Sequence, residues 1–170
     1  MDSTQASLRI EPARPQHAAV LLRLVRELAS FEKLEHQVVA SEQQMREELG
    51  ASPPVIEASI AWEGSEAVGF ALYFHNFSTF LGRRGLYLED LYVVPQARGR
   101  GVGRALIEHV ASIAVARRCG RFDWAVLGWN RHAIDFYRSI GAELLDDWRI
   151  CRVTGEALAR LGRAGTIRAP

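Results

Sequence analysis

The chain is poor in the features that mark secreted, membrane-embedded and strongly charged proteins. Its 170 residues include only two cysteines, and 21 basic against 20 acidic side chains leave a net charge of +1. No apolar run approaches the roughly 18 residues of a membrane-spanning helix. The near-zero charge gives no attraction to nucleic acid or to an anionic membrane, so we expect neither as a partner. The first residues lack a basic segment followed by an apolar one, and we expect a cytoplasmic protein.

The cysteines, Cys119 and Cys151, and the histidines show no metal-ligand spacing, so we expect no bound metal. The two cysteines could form one disulfide, but a pair of reduced, partly buried thiols is the simpler expectation for a cytosolic protein. The chain has no repeats, no low-complexity segment and no internal linker. We therefore expect a single domain over 1–170, with a core at about 8–161 and a frayed tail from about 163.

The hydrophobic pattern predicts an α/β protein with a mixed sheet. Alternating or β-branched runs predict strands at about 8–11, 55–62, 67–74, 86–94 and 122–127, with a last strand at 148–153 that closes the sheet. Apolar residues at helical spacing, with N-cap and stop signals, predict helices at about 15–31, 41–49, 102–118 and 130–140.

One segment joins a β-rich run to a helix through three glycines at alternate positions. The run ends at Pro95, and Gly99, Gly101 and Gly103 precede the helix. Glycines let an anion approach the backbone, and the amides of a helix N-terminus attract negative charge. The segment therefore predicts a phosphate or pyrophosphate site. No Lys-Ser or Lys-Thr pair follows it, which excludes a Walker loop, and the glycine spacing departs from the dinucleotide fingerprint.

A second informative block runs from Trp129 to Ala142. Asn130 is suited to cap a helix, and Gly141 follows the last apolar position. A helical stripe carries Ala133, Ile134, Tyr137 and Ile140. A tyrosine on such a stripe is often only a core residue.

The order and spacing of the two blocks resemble the GNAT family of N-acetyltransferases. Arg98 to Gly103 matches its Arg/Gln-x-x-Gly-x-Gly/Ala loop, and Asn130 to Ala142 matches its Asn-x-x-Ala-x-x-x-Tyr-x-x-x-Gly-Phe/Ala block. The resemblance implies the GNAT fold, a mixed central sheet with a splayed central strand pair and helices on both faces. It also implies acetyl-CoA as co-substrate, with the pantetheine arm along the backbone of a bulged strand. The implied cofactor contacts are Leu91, Tyr92, Val93, Arg98, Gly99, Arg100, Gly101, Val102, Gly103, Arg104, Asn130, Ala133 and Tyr137.

The chain is similar to one branch of that family, the diamine (spermidine/spermine) acetyltransferases. The segments that carry this similarity are 26–34, 86–90 and 125–130, and their Phe-Glu-Lys-Leu and Ala-Val-Leu-x-Trp-Asn forms resemble thialysine acetyltransferases most. Ser78 stands where polyamine enzymes tend to have Asp. The resemblance thus implies a small primary amine as acceptor, favouring thialysine, a lysine-like amino acid or a short diamine over spermine. It also implies a homodimer.

Acetylation of an amine requires two proton movements. An alkylamine with a pKa of about 10.4 must lose a proton before it attacks, and the departing thiolate must gain one. Strand alternation predicts that Glu89 and Asp90 face opposite sides of the sheet. The resemblance implies that Glu89 is the base, acting through a water, and that Tyr137 is the general acid, because a phenol keeps its proton at neutral pH. The implied acceptor contacts are Phe31, Glu32 and Glu89. Asp123 and Trp124 lie on the predicted strand that faces the cleft, and we expect them to line the acceptor pocket.

Two other functions stay open at this point. The chain could be a catalytically silent acyl-CoA-binding module, although Glu89 and Tyr137 argue against that. It could also acetylate a protein N-terminus or a lysine side chain. No extra domain or acidic patch in the sequence supports protein acetylation.

Overall fold

The structure, a computed structural model, describes residues 7–165. Its strands are β1 (Leu8–Pro12), β2 (Glu57–Glu63), β3 (Glu66–Ser78), β4 (Arg83–Val93) and β5 (Phe122–Trp124). Its helices are α1 (Ala18–Glu32), α2 (Glu42–Gly50), α3 (Val102–Ala116), α4 (Arg131–Ser139) and α5 (Gly155–Ala164).

The chain divides after Ala125 into two compact units. The first unit carries the sheet and helices α1 to α3, and the second carries α4 and α5. The single domain expected over the whole chain stays a prediction. No helix within residues 7–165 is long and apolar enough to cross a membrane.

The five strands form one mixed sheet in chain order. Antiparallel pairing joins β1 through β4, and β5 pairs with β4 in parallel. The parallel ladder extends only from Leu86 opposite Phe122 to Leu88 opposite Trp124, whereas β4 continues to Val93. The splayed central strand pair of the GNAT fold is thereby confirmed.

Alternation along β3 distributes its side chains between two layers of helices. Phe70 and Leu72 lie in a buried cluster with Leu21 of α1. Gly69, on the other face, lies under α3, where an added Cβ would be 3.2 Å from Leu106 Cδ1. Helices therefore cover both faces, as expected. Complete burial of each such large apolar side chain is worth about 1.5–3 kcal/mol.

Both predicted helix caps are confirmed. The Ser41 hydroxyl accepts from the Gln44 amide at 3.2 Å, and the Gln44 side chain accepts from the Ser41 amide at 2.9 Å, a capping box that opens α2. Asn130 Oδ1 accepts from the Ala133 amide at 3.2 Å and opens α4. These contacts are local, which explains why the sequence revealed them.

The strand expected at 148–153 is wrong. This segment has no regular secondary structure, and Trp148 and Ile150 are 78% and 73% exposed. Alternating apolar residues permit a strand, but a strand also needs a hydrogen-bonded neighbour, and the sheet ends at β5. Helix α5, which follows, was not expected.

Three smaller expectations also need correction. The frayed tail was expected to start at about 163, but Arg163 belongs to α5, so that start is wrong. Residues 166–170 of the expected tail lie outside the described residues. Both cysteines are free thiols, but only Cys119 is partly buried, whereas Cys151 is exposed. The strand expected at 122–127 is shorter than predicted and ends at Trp124.

Candidate active site

A β-bulge interrupts strand β4 at Glu89. Tyr73 of β3 pairs with Leu88, and the next pairing along the ladder is Leu72 with Asp90. Glu89 is therefore an extra residue with no partner on β3. Such bulges bend the strand and re-aim its side chains, and they are common beside active sites.

The bulge changes which residues share a face of the sheet. Tyr87 pairs with Phe74 and Asp90 pairs with Leu72, and these two partners lie on one face of β3. Tyr87 and Asp90 thus share that face although they are three residues apart. Strict alternation would instead place Asp90 with Leu88, so the extra residue resets the alternation at this point. That Glu89 and Asp90 face opposite sides of the sheet stays a prediction.

Three carboxylates interact near the bulge. Asp90 is mostly buried, and this burial, followed by the charges of Glu89 and Glu32, raises its pKa to about 6. Burial also raises the pKa of Glu32, at the end of α1. Glu89 is exposed. Sequence reasoning assigned no role to Asp90, and the bulge that the resemblance implied was the signal that could have drawn attention to it. Concentrated negative charge of this kind favours a cationic ligand.

The predicted acceptor aromatic, Phe31, contacts the glycine-rich segment. Phe31 lies in the last turn of α1 and is 39% exposed. The guanidinium carbon of Arg98 lies 4.7 Å from the centre of its ring and 5.7 Å from the centre of the Tyr92 ring. Arg98 Nε also donates to the Val93 carbonyl at 2.9 Å. The first arginine of the segment is thus directed toward α1.

The glycine-rich segment is open and leads directly into α3. Gly99 and Gly101 have φ values of +74° and +83°, and an added Cβ at either would meet nothing within 4 Å. Gly101 is the N-cap and supplies no side-chain acceptor, and the helix makes its first bond from the Ala105 amide to the Gly101 carbonyl at 2.9 Å. The amides of residues 102–104 therefore lack acceptors within the helix. This arrangement suits an anion.

The other two arginines of the segment pair with carboxylates. Arg100 contacts Glu63 at 2.8 Å, and Arg104 contacts Glu108 one helical turn along at 3.2 Å. Both arginine side chains are about half exposed. Exposed pairs of this kind are weak and can exchange partners when an anionic ligand arrives.

The end of β4 leaves one edge open in the described part of the sheet. Leu91, Tyr92 and Val93 pair with β3, but the ladder with β5 has already stopped at Leu88. A strand edge without a neighbour offers backbone donors and acceptors to an extended ligand. The bulge and the early end of the parallel ladder together produce this edge.

The two predicted acceptor residues of β5 differ in their surroundings. Asp123 accepts from Arg121 Nε at 2.7 Å and from Asn76 Nδ2 at 3.3 Å. Trp124 packs against Phe122, with ring centres 5.0 Å apart. Successive residues of a strand point to opposite faces, so Asp123 and Trp124 do not project to the same side. Their role in acceptor binding stays a prediction.

Ser78 has a local structural contact. It is buried, and its hydroxyl accepts from the Leu81 amide at 3.2 Å across the turn between β3 and β4. A neutral hydroxyl used in this way supplies no charge for a polycation.

The second unit contains Asn130, Ala133 and Tyr137, all on or next to α4. Tyr137 is 9% exposed, and burial raises its pKa to about 12. The phenol therefore keeps its proton throughout the physiological pH range. The half-buried Ala133 contributes its amide to the Asn130 cap.

No group of three or more His, Cys, Asp or Glu side chains within residues 7–165 is arranged to hold a metal ion.

Comparison with known proteins agrees with this geometry. The model of the acetyltransferase (GNAT) family matches residues 22–142. Thialysine N-epsilon-acetyltransferase from Mus musculus is 41% identical over 167 residues, which cover 92% of this chain and 98% of that protein. A solved integron cassette protein from the mobile metagenome of V. cholerae is 30% identical, with a TM-score of 0.78 over 92% of this chain and 98% of that one.

A more distant structure, an aminoglycoside N-acetyltransferase in complex with CoA, shares the fold. It is 18% identical, with a TM-score of 0.71 over 91% of this chain and 99% of that one. The family match covers most of the chain, and the mouse relative is similar over nearly all of it. The chain therefore belongs to the acetyltransferase (GNAT) family.

Proposed function

We propose that this enzyme transfers the acetyl group of acetyl-CoA to the primary amine of a small molecule such as thialysine, a lysine-like amino acid or a short diamine. The observation that carries this proposal is the group of three carboxylates, Glu32, Glu89 and Asp90, in the unit that also has the open β4 edge and the anion-binding helix N-terminus. Negative charge suits a cationic acceptor, and exposed amides suit an anionic cofactor.

The residues present fit coenzyme A. The open segment at Gly99 and Gly101 gives a pyrophosphate access to the amides of residues 102–104. The backbone of 91–93 would hold the pantetheine arm as an added strand. Acetyl-CoA supplies the acyl group as a thioester, and the protein supplies binding, orientation and proton transfer. The Asn130 cap and Ala133 are assigned to the cofactor by resemblance to the family.

Glu89 would remove the proton from the attacking amine. It is exposed at the bulge, so a water can lie between its carboxylate and the ammonium. Glu89 would take one proton from the ammonium before attack and pass it to solvent. As the new C–N bond forms and the C–S bond breaks, the nitrogen would lose a second proton to solvent while the departing sulfur gains one. General-base assistance of this kind is worth about 10²–10⁴-fold in rate.

Tyr137 would protonate the departing sulfur, a role carried over from the matching tyrosine of the family. Its pKa of about 12 lies well above the roughly 8.5 of a simple thiol, so complete transfer from a resting phenol is uphill. The phenol would therefore stabilise the charge that develops on sulfur by a hydrogen bond, pass its proton to the sulfur as the C–S bond breaks, and regain a proton from solvent. Burial keeps this donor protonated throughout the physiological pH range.

Acceptor choice follows from the carboxylates and from Ser78. Glu32 would pair with a second ammonium, or with the α-ammonium of an amino acid, and Phe31 would pack against its carbon chain. The Ser78 hydroxyl is used in a turn and adds no further negative charge for a longer polycation. The mouse relative, a thialysine acetyltransferase by name, supports the same choice. Asp123 and Trp124 complete the proposed acceptor set.

A panel of amines tests the proposal directly. Release of free coenzyme A would be followed with acetyl-CoA and thialysine, lysine, ornithine, putrescine, spermidine, spermine and several aminoglycosides. We expect the highest kcat/KM with thialysine or another lysine-like acceptor. Acetyl-CoA binding without turnover of any amine would indicate a silent acyl-CoA-binding module. Turnover only with peptides bearing a free N-terminus or lysine would indicate protein acetylation.

We further propose a homodimer located in the cytoplasm. The second unit exposes a series of large apolar side chains that a partner copy could cover: Leu145, Trp148, Ile150, Val153, Leu158 and Leu161. Symmetric dimers are the commonest oligomers, and they bury such surfaces. The two free thiols are typical of a reducing compartment.

A further inference from the structure

We propose that Arg98 is a positioning residue for the amine acceptor, acting through the ring of Phe31. This inference rests on the proposed function and differs from what the family resemblance implies, which is a contact between Arg98 and the cofactor. The guanidinium would hold the last turn of α1 in place and thereby present Phe31 and Glu32 to the acceptor.

Three contacts define the position of the Arg98 guanidinium. Its carbon lies 4.7 Å from the centre of the Phe31 ring, within the roughly 6 Å at which a cation–π contact is effective. Its Nε donates to the Val93 carbonyl at 2.9 Å, and Tyr92, whose ring centre is 5.7 Å away, is 5% exposed. Arg98 is thus anchored on the end of β4, and its guanidinium has few alternative orientations.

Phe31 belongs to the last turn of α1, just before the helix C-cap. The helix ends at Glu32, and Lys33 adopts a left-handed conformation at φ +61°. The amides of Lys33 and Leu34 bond back to the Ser30 and Ala29 carbonyls at 3.1 and 2.8 Å. Terminal turns fray readily, and Phe31 is one of the exposed large apolar residues of this unit. A guanidinium over its ring restrains this turn.

The consequence concerns substrate binding more than chemistry. Glu32 follows Phe31 in the same turn, so loss of the restraint displaces both predicted acceptor contacts. The helix amides proposed for the pyrophosphate belong to residues 102–104 and do not depend on the Arg98 side chain. Arg98 is linked to the backbone of the proposed pantetheine site only through the Val93 carbonyl. Removal of Arg98 should therefore raise the KM for the amine by a larger factor than it changes the dissociation constant of coenzyme A.

Kinetics of Arg98→Met, Phe31→Leu and the double variant test this coupling. We expect Arg98→Met to raise the KM for thialysine about fivefold, the upper end of an exposed cation–π contact. Phe31→Leu should raise it at least as much, because Phe31 also packs against the acceptor, and the double variant should go no further than Phe31→Leu. The dissociation constant for coenzyme A, measured by calorimetry, should change by less than about twofold. Arg46→Met, which removes an α2 guanidinium paired with Glu42, is the matched control and should leave both constants unchanged.

Fluorination of the Phe31 ring isolates the electrostatic part of its contact with Arg98. Incorporation of mono-, di- and trifluorophenylalanine at this position weakens the negative face of the ring with little change in shape, so the KM for the amine should rise stepwise. Phe31→Tyr, which keeps the ring face, should retain the wild-type value. If the KM for the amine is unchanged by fluorination but rises in Phe31→Leu, the cation–π role of Arg98 is overturned.

Amide hydrogen exchange, which requires no catalytic turnover, separates this inference from the proposed function. Amide hydrogen exchange at Lys33 and Leu34 should be severalfold faster in Arg98→Met than in wild type or Arg46→Met. Unchanged exchange would overturn the restraint, whatever the amine panel shows. Tenfold weaker coenzyme A binding in Arg98→Met, with an unchanged amine KM, would show that Arg98 binds the cofactor and does not position the acceptor. If wild type acetylates no amine, the proposed function fails, and the exchange result still decides whether Arg98 holds the turn.

Discussion

Asp90 pairs with Leu72 across the β3–β4 ladder, directly beyond the bulge. Leu72 belongs to the apolar cluster under α1, so the pairing directs a carboxyl group toward a buried, poorly solvated face. Water cannot stabilise its charge fully there, and the neighbouring charges of Glu89 and Glu32 add repulsion. The raised pKa of Asp90 follows from this one register position.

Asp90→Asn should stabilise the protein at neutral pH relative to wild type. The pKa of Asp90 rises from its ordinary 3.8 to about 6, so the folded chain binds a proton that the unfolded chain releases between those values. Wild-type stability therefore falls as pH rises from about 4 to 6, by about 3 kcal/mol, and is constant above that. Urea unfolding of both proteins from pH 4 to 7 measures the difference. Asp135→Asn, at an exposed carboxylate of α4, should show no such trend.

Gly101→Val should weaken coenzyme A binding by at least tenfold, about 1.4 kcal/mol. A branched side chain would occupy the open space that a pyrophosphate needs, and φ +83° disfavours any residue with a Cβ. Gly82→Val is the matched control because Gly82 also has a positive φ, +60°, and open surroundings. Calorimetry on both variants separates phosphate exclusion from backbone strain. Equal coenzyme A affinity in wild type and Gly101→Val would show that the pyrophosphate does not bind at this segment.

Tyr137→Phe should lower kcat by about 10²–10⁴-fold, the usual contribution of a general acid. The phenyl ring preserves the buried packing, so acetyl-CoA affinity and thermal stability should change little. The pKa of about 12 also predicts no loss of wild-type activity from tyrosine ionisation below about pH 11. Steady-state kinetics from pH 6 to 10 should show no rescue of the variant at high pH. Wild-type kcat in Tyr137→Phe would mean that another group protonates the sulfur.

Glu89→Gln should show the opposite pH behaviour. Its defect should be largest near pH 6, where the amine arrives protonated and requires a base. Raising the pH toward 10 supplies free amine and should restore much of the lost kcat. A defect that is independent of pH would indicate positioning rather than proton removal by Glu89.

The mass in solution should be twice that of the chain. Static light scattering at micromolar concentration measures it, and Leu158→Glu with Leu161→Glu should shift the protein toward the monomer, because both side chains are exposed on α5. A monomeric wild type would contradict the proposed dimer.

The sequence by itself determined the features that depend on neighbouring residues. The Ser41 and Asn130 caps, the alternation of the strands and the glycine segment before α3 all follow from local backbone geometry, and the motif spacing was sufficient to indicate the family. These features involve side chains and amides within a few positions of each other.

Only the tertiary structure decided how distant residues meet. Strict alternation groups Asp90 with Leu88, whereas the register with β3, through the bulge at Glu89, groups it with Tyr87. The strand expected at 148–153 failed, because pairing requires a neighbour that no sequence pattern specifies. The contact between Arg98 and Phe31 joins α1 to the segment before α3, and no spacing rule connects them. Register, burial and contacts between separate elements depend on how the whole chain packs, and so do the pKa of Asp90 and the position of Arg98.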